Sequence, residues 1–220
     1  MVPELHGYHY SVYLRMVRFA LAAKGVPHVH VAVNPFERPI PPAYLALHPF
    51  GRVPSLVHDG FVLYETAAIT RYVDEAFAGP ALQPQTARLR ARMVQIQSVV
   101  DSYAYWPMVR QVFAHAVFRP AAGAKADAAE VAAGLEAAPA VLRALGSLAE
   151  GAPFLLGGTL SLADIHLAPI VAGFAAVPAG RALLDEVPAL AEWWSHMAGH
   201  ALFAATDPGL PTAAAATPPA

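Results

Sequence analysis

The dipeptide Asp59-Gly60 constrains this chain more than any other pair. Flanked by the apolar runs Ser55-Leu56-Val57 and Phe61-Val62-Leu63, it predicts a tight β-hairpin. A two-residue hairpin turn needs positive φ at its central positions, which glycine supplies without steric cost and aspartate tolerates. Pro49 and Gly51 punctuate the chain just ahead of it. Behind it, Glu65-Thr66 opens a helix with Thr66 as N-cap, and Ala67, Ile69, Tyr72, Val73 and Phe77 form its apolar face.

The residues upstream supply partners for the hairpin. Val2 to Gly7 reads as a short strand, followed by the polar-aromatic turn from Tyr8 to Tyr13. Leu14, Val17, Phe19, Leu21 and Ala22 mark a helix that stops at Lys24-Gly25, a basic residue and a glycine. Val26 to Val33 is a second strand, Pro35 to Pro42 a proline-rich loop, and Ala43 to Leu47 a brief helix. The order is strand-helix-strand-helix-strand-strand-helix, an α/β arrangement.

After the linker 79–84, strand signals vanish. Leu89, Met93, Ile96, Val100 and Tyr103 recur at spacings of four and three, one face of a long helix that Pro107 should bend or interrupt. Residues 120–123 break the chain. An alanine-rich helical region follows to about Glu150, with interruptions expected near Gly134 and Pro139. Ser161 with Asp164 three positions on is a capping box, which nucleates a buried helix and performs no chemistry. The expected organisation is one domain over 1–78, the linker, an all-helical domain over 85–206, and a loose tail rich in Pro, Thr and Ala over 207–220.

Hydrophobic residues make up 56% of the 220 positions, enough to bury two cores, and the net charge of −2 leaves no footprint for nucleic acid. Arg88, Arg90 and Arg92 read as a solvated helix start. Cysteine is absent, which excludes disulfides and a protein thiol nucleophile. Glu4 and His6 stand where a signal peptide needs an apolar run, and the apolar stretch Leu167–Val177, broken by Pro169, is too short to cross a bilayer. A cytoplasmic location with no membrane contact is therefore expected. His28 and His30 share a strand face, but no third ligand accompanies them, so no metal is expected.

The run HPFGRVPSLVHDGFVLYETAAITRYV, residues 48–73, resembles the second half of the thioredoxin-like domain of the soluble glutathione S-transferases, in which an Asn-Pro-x-Gly-x-Val-Pro-x-Leu turn precedes a hairpin and a Glu-Ser-x-Ala-Ile helix start. His48 replaces the Asn and Thr66 the Ser. Gly158-x-x-Ser161-x-Ala163-Asp164 and the tryptophan-bearing segment Pro188–Met197 resemble signatures of that family's helical domain. The resemblance implies a βαβαββα thioredoxin-like domain followed by an all-α domain, in a homodimer. The implied activity is addition of glutathione thiolate to a small apolar electrophile, with glutathione as co-substrate and no metal. A glutathione-dependent isomerase or dehalogenase, or a catalytically weak binding module on the same fold, is the alternative.

Registering Arg18 to Val26 on the matching family segment places Ser11 at the catalytic serine of phi- and zeta-like classes, where it would donate a hydrogen bond to the sulfur. Two alternatives stay open: Ser11 only caps the helix, or Tyr8 supplies a phenol. The resemblance further implies a cis Val53-Pro54 peptide whose Val53 backbone pairs with the cysteinyl unit, and Arg52 beside the glycyl end. Glu65 would meet the γ-glutamyl ammonium and Thr66 its carboxylate. Serine-type relatives carry His-Lys or Gln in the loop before the second helix; here Arg38 is the basic residue of that loop, a departure at the glycyl end. Asp101 resembles an acid that some classes contribute from the partner subunit. Tyr13, Tyr103, Tyr105, Trp106, Val109 and Phe113 are the expected electrophile walls.

Overall fold

Alternation of inward and outward side chains makes Glu4–Gly7 (β1) a strand with Leu5 and Gly7 turned inward. In a computed structural model that describes residues 1–212, β1 lies inside a four-stranded sheet of order β2-β1-β3-β4. It pairs in parallel with Val29–Ala32 (β2) and antiparallel with Ser55–His58 (β3). Phe61–Tyr64 (β4) completes the hairpin with β3, and Asp59 (φ 52°) with Gly60 (φ 80°) forms the turn that the dipeptide predicts. The second strand is shorter than expected. His28 precedes it, so His28 and His30 do not share a strand face.

Helix α1 (Val12–Ala23) buries Leu14, Met16, Val17, Phe19 and Leu21, each worth about 1.5–3 kcal/mol when fully removed from water. It ends at Lys24, with Gly25 beyond it at φ 67°. Pro42–Leu45 (α2) is a single turn, and Thr66–Ala76 (α3) follows the hairpin, packing on α1 through Ile69, Thr70 and Val73. Lys24 closes this unit. Its buried ammonium meets Asp74 Oδ1 at 3.1 Å and donates to Pro80 O at 2.9 Å, while Asp74 also accepts from Leu82 N at 2.8 Å and Gln83 Nε2 at 3.0 Å. The chain past α3 is thus tied back to the C-terminus of α1.

Two compact units result. One is Met1–Gln83 with Ala201–Pro208, and the second is built on Pro84–His200. Residues 201–206, which the sequence reading places with the helical domain, thus cluster with the first unit. Of the tail expected over 207–220, residues 213–220 lie outside the described residues.

The second unit begins with Ala87–Val99 (α4), capped by Thr86. At Val100 the helix widens to an i→i+5 register and runs to Phe118. Pro107 sits buried within this stretch without ending it; the register changes seven residues earlier, at Val100. The widening also corrects the buried face. Residues four apart (Ile96, Val100, Ala104, Met108, Val112) line the core, so Ala104 is buried and Tyr103 turns outward.

Arg119–Ala121 (α5) leads to Ala128–Leu148 (α6), which continues through Gly134 and Pro139, contrary to expectation. Its stripe of Gly134, Ala138, Leu142 and Leu145 is buried, and Gly134 lets the backbone close on Pro107 O; this packing outweighs the lost hydrogen bond at Pro139. By length and composition alone α6 would also cross a membrane. One stripe of it, Gly134, Ala138, Leu142 and Leu145, is buried within the second unit.

Leu162–Ala175 (α7), Pro178–Asp185 (α8) and Pro188–Ala198 (α9) complete the unit, with Ala201–Ala204 (α10) returning to the first. The capping box forms as predicted. Asp164, fully buried, accepts from Ser161 N (2.9 Å) and Ser161 Oγ (2.7 Å), and also from Leu155 N (2.8 Å) and Trp193 Nε1 (2.9 Å).

Candidate active site

The turn between β1 and α1 places a hydroxyl at a helix tip. Ser11 takes an extended conformation (φ −69°, ψ 126°) and caps α1 by accepting from Leu14 N at 3.3 Å. Its own amide donates to Tyr8 O at 2.9 Å, which draws the turn tight. The cap contact uses an oxygen lone pair, so the hydroxyl hydrogen remains to be donated. The amides at the start of α1 add the partial positive charge that favours a nearby anion.

Tyr8 stands differently. Its ring meets Tyr10 and Phe36 edge-on, with centroids 5.6 and 5.7 Å apart. Burial, with a smaller effect of Tyr10, raises its pKa above the ordinary phenol value. A phenol shifted this way gives up its proton less readily, which weakens it as a partner for a thiolate.

The loop before β3 supplies a backbone edge. Val53-Pro54 is cis, as the resemblance implies. The ladder begins at Ser55, so the Val53 backbone groups are not consumed by the sheet. Tyr44 supports this loop: its hydroxyl donates to Arg52 O at 2.5 Å and lies 3.3 Å from Ser55 Oγ. Sequence reading gives Tyr44 no role, because a lone aromatic in a brief helix carries no signal of its distant partner. The Arg52 side chain is exposed.

The tip of α3 is the third element. Thr66 is the first helical residue and is buried, while Glu65 is the N-cap, correcting the reading that made Thr66 the cap. The reason is backbone geometry. Glu65 sits at φ 70°, ψ 116°, outside the regions open to residues with a Cβ. Such strain costs about 1–3 kcal/mol and concentrates where function demands a particular direction of the side chain. Composition carries no trace of it.

His48, in place of the family's Asn, is buried with its ring 4.9 Å from that of Tyr64. Among the described residues its Nδ1 has no partner. Burial lowers its pKa, with Glu65 opposing and Arg52 reinforcing.

Arg38 does not reach outward as a basic anchor. Its Nη1 donates to Pro35 O and Glu37 O, at 2.8 and 2.6 Å, within its own loop. The expected electrophile walls fall into two groups. In the first unit, Tyr13 is half-buried on the first turn of α1. In the second, Tyr103 and Trp106 are 64% and 60% exposed, Tyr105 is half-buried, Val109 is buried, and Phe113 lies so close to Gly173 that a Cβ there would stand 2.9 Å from its ring. Asp101, at the start of the widened helix, meets the buried His166 Nε2 at 2.9 Å. Among the described residues no three His, Cys, Asp or Glu side chains gather where a metal could sit.

Comparison with known proteins converges on one family. Residues 5–81 match the family model of the glutathione S-transferase N-terminal domain, and residues 128–193 that of the C-terminal domain. Glutathione S-transferase 3 of Zea mays is 31% identical over 172 residues, 77% of each chain. Glutathione S-transferase F13 of Arabidopsis thaliana is 29% identical over 217 residues, 97% of this chain and 98% of its own. The solved structure of glutathione S-transferase III in its apo form superposes with a TM-score of 0.78 at 28% identity, covering all of both chains. With its four-stranded sheet and its matches to both domain models and to the Zea mays enzyme, this chain belongs to the glutathione S-transferase family.

Proposed function

We propose that this protein conjugates the thiolate of glutathione to small hydrophobic electrophiles, with Ser11 as the residue that stabilises the sulfur anion. The observation that carries the reading is Ser11 at the tip of α1, its oxygen engaged by Leu14 N and its hydrogen left to donate. A free thiol has a pKa near ~8.5, and each unit of depression corresponds to about 1.4 kcal/mol of preference for the thiolate. A hydroxyl donor and a helix tip are together worth roughly one to two such units.

The rest of the tripeptide follows the same logic. The backbone of Val53 pairs with the cysteinyl unit and Thr66 with the γ-glutamyl carboxylate at the α3 tip, while strained Glu65 meets the ammonium. Arg52 is the proposed contact of the glycyl end; Arg38, bonded within its own loop, contributes less. Tyr13, on the first turn of α1 two residues after Ser11, is the proposed electrophile contact of the first unit. A homodimer belongs to the proposal, supported by the exposed rings of Phe50 and Phe61 on the first unit. So does a cytoplasmic setting, where glutathione is kept reduced.

Retention on immobilised glutathione followed by conjugation of an aryl halide tests the activity. Ser11→Ala should abolish the thiolate absorbance of bound glutathione and lower kcat by about tenfold or more, whereas Tyr8→Phe should leave both within about twofold. Loss of the thiolate in Tyr8→Phe with retention in Ser11→Ala would transfer the role to Tyr8. Retention of glutathione without turnover would make the protein a binding module.

A further inference from the structure

Arg15 is a cation enclosed in the core of the first unit, one helical turn after Ser11. Its amide donates to Ser11 O at 3.0 Å, so its main chain holds the carbonyl of the proposed catalytic residue. Its side chain leaves α1 for the returning segment of the chain. The guanidinium carbon stands 4.0 Å over the centre of the Phe203 ring. Nη2 donates to Phe203 O and Nε to Thr206 Oγ1, each at 3.4 Å. The Thr206 hydroxyl donates to that same carbonyl at 2.7 Å, and the Phe19 ring of α1 lies 5.4 Å from Phe203. Burial lowers the Arg15 pKa, with Asp207 opposing and Arg18 reinforcing.

Packing alone would be better served here by leucine, because a buried guanidinium carries a desolvation cost that an aliphatic residue avoids. What the guanidinium adds is direction. Its seat 4.0 Å over the Phe203 ring sets the plane of the guanidinium, and the two 3.4 Å contacts, long for hydrogen bonds, only add to that. The first turn of a helix is otherwise its loosest part, since its leading amides lack intrahelical partners, and the Ser11 cap at 3.3 Å is long.

We propose that Arg15 is a positioning residue for the Ser11 hydroxyl, and that segment 201–207, by gripping Arg15, sets how strongly the enzyme ionises its thiol substrate. This rests on the assignment of Ser11 above. Segment 201–207 contains none of the proposed tripeptide-binding residues. It acts on the reaction through the placement of α1, where a displacement near 1 Å can cost up to ~10²-fold in rate.

The test leaves Arg15 and Ser11 in place and alters the grip. Phe203→Leu removes the aromatic face and keeps apolar bulk, Thr206→Val removes the acceptor at constant shape, and Phe203→Tyr keeps a ring. Amide hydrogen exchange of Leu14 and Arg15 in the full chain reports the first turn directly. Ultraviolet titration of bound glutathione reports the thiol. Phe203→Leu/Thr206→Val should speed exchange at Leu14 and Arg15 by about tenfold. It should raise the bound-thiol pKa by about 0.5–1 unit and lower kcat, with KM for glutathione within about twofold. The single variant Phe203→Tyr, which keeps the ring and Thr206, should leave both readouts within about twofold of the unaltered protein. Unchanged exchange in the double variant overturns the proposal, as does faster exchange with an unmoved thiol pKa and kcat, which would mark a purely structural contact. If the unaltered protein shows no bound thiolate at all, the Ser11 assignment fails, and the exchange measurement still decides whether the grip on α1 exists.

Discussion

Replacing Asp164 measures how much of the helical unit hangs on one carboxylate. Four donors converge on it: Leu155 N and Trp193 Nε1 at Oδ1, Ser161 N and Ser161 Oγ at Oδ2, all within 2.7–2.9 Å. They join the 155–161 loop, the start of α7 and the face of α9. In Asp164→Ala all four lose their acceptor. At about 1–3 kcal/mol for each buried unsatisfied donor, the sum runs from ~4 to ~12 kcal/mol. The Ser161 hydroxyl can rotate and water can enter the space left, so about 4–6 kcal/mol is expected. That is a large part of a typical total of roughly 5–15 kcal/mol. At about 2–4 °C per kcal/mol for a chain of this size, the melting temperature should fall by at least ~8 °C.

Asp164→Asn separates charge from geometry. The side-chain oxygen can still serve Leu155 and Trp193, but the new amide faces the Ser161 N–H, donor against donor, while the Ser161 hydroxyl turns to accept. One bond is lost, and about 2 kcal/mol, or roughly 4–8 °C, is expected. Scanning calorimetry with near-ultraviolet circular dichroism of Trp193 gives the ranking. If Asp164→Asn costs as much as Asp164→Ala, or if the alanine variant melts within about 2 °C of the unaltered protein, the donor count is not what holds this unit together.

Three further outcomes rest on other buried contacts. Lys24→Met strands the buried Asp74 carboxylate and should cost about 3–5 kcal/mol in urea unfolding, with Lys24→Met/Asp74→Asn recovering part of it; no recovery would show that the charge is not the cause. Gly134→Ala should destabilise by about 1–3 kcal/mol despite alanine's better helix propensity, because its Cβ would stand 2.6 Å from Pro107 O; a neutral or raised melting temperature would contradict that crowding. Burial lowers the His48 pKa in the folded chain, so below the unfolded value of about 6.5 the unfolded state takes up the proton first, and stability falls as pH drops from there. His28 and His200 shift the same way and leave a residual slope in His48→Asn, which should nevertheless be flatter; an identical pH profile would clear His48 of responsibility.

The parts legible in the sequence are those whose causes are local. Asp59-Gly60 carries its own turn chemistry, Ser161 and Asp164 are three apart because a capping box requires it, and the glycine after Lys24 marks a stop wherever it occurs. What escaped depends on distant packing. Pro139 reads as a break until Gly134 is seen closing on Pro107, and Tyr103 reads as buried until the helix around it is known to be wide. The site divides along the same line. Ser11 announces itself through a capping preference, and Thr66 only through the motif, since Glu65 takes the cap position. The positive φ of Glu65, the spent side chain of Arg38 and the reach of Arg15 to Phe203 come from tertiary geometry and leave no local mark.

The chain leaves its first unit after Gln83 and rejoins it at Ala201, so the helices are spliced into that unit and not strung behind it. A protease that nicks the 79–84 connection would therefore not liberate two independent domains. The larger fragment would still carry residue Phe203, a buried piece of the smaller fragment's interior. Such halves are complementing fragments: they should elute together under native conditions, part only in denaturant, and re-form the first unit only when mixed.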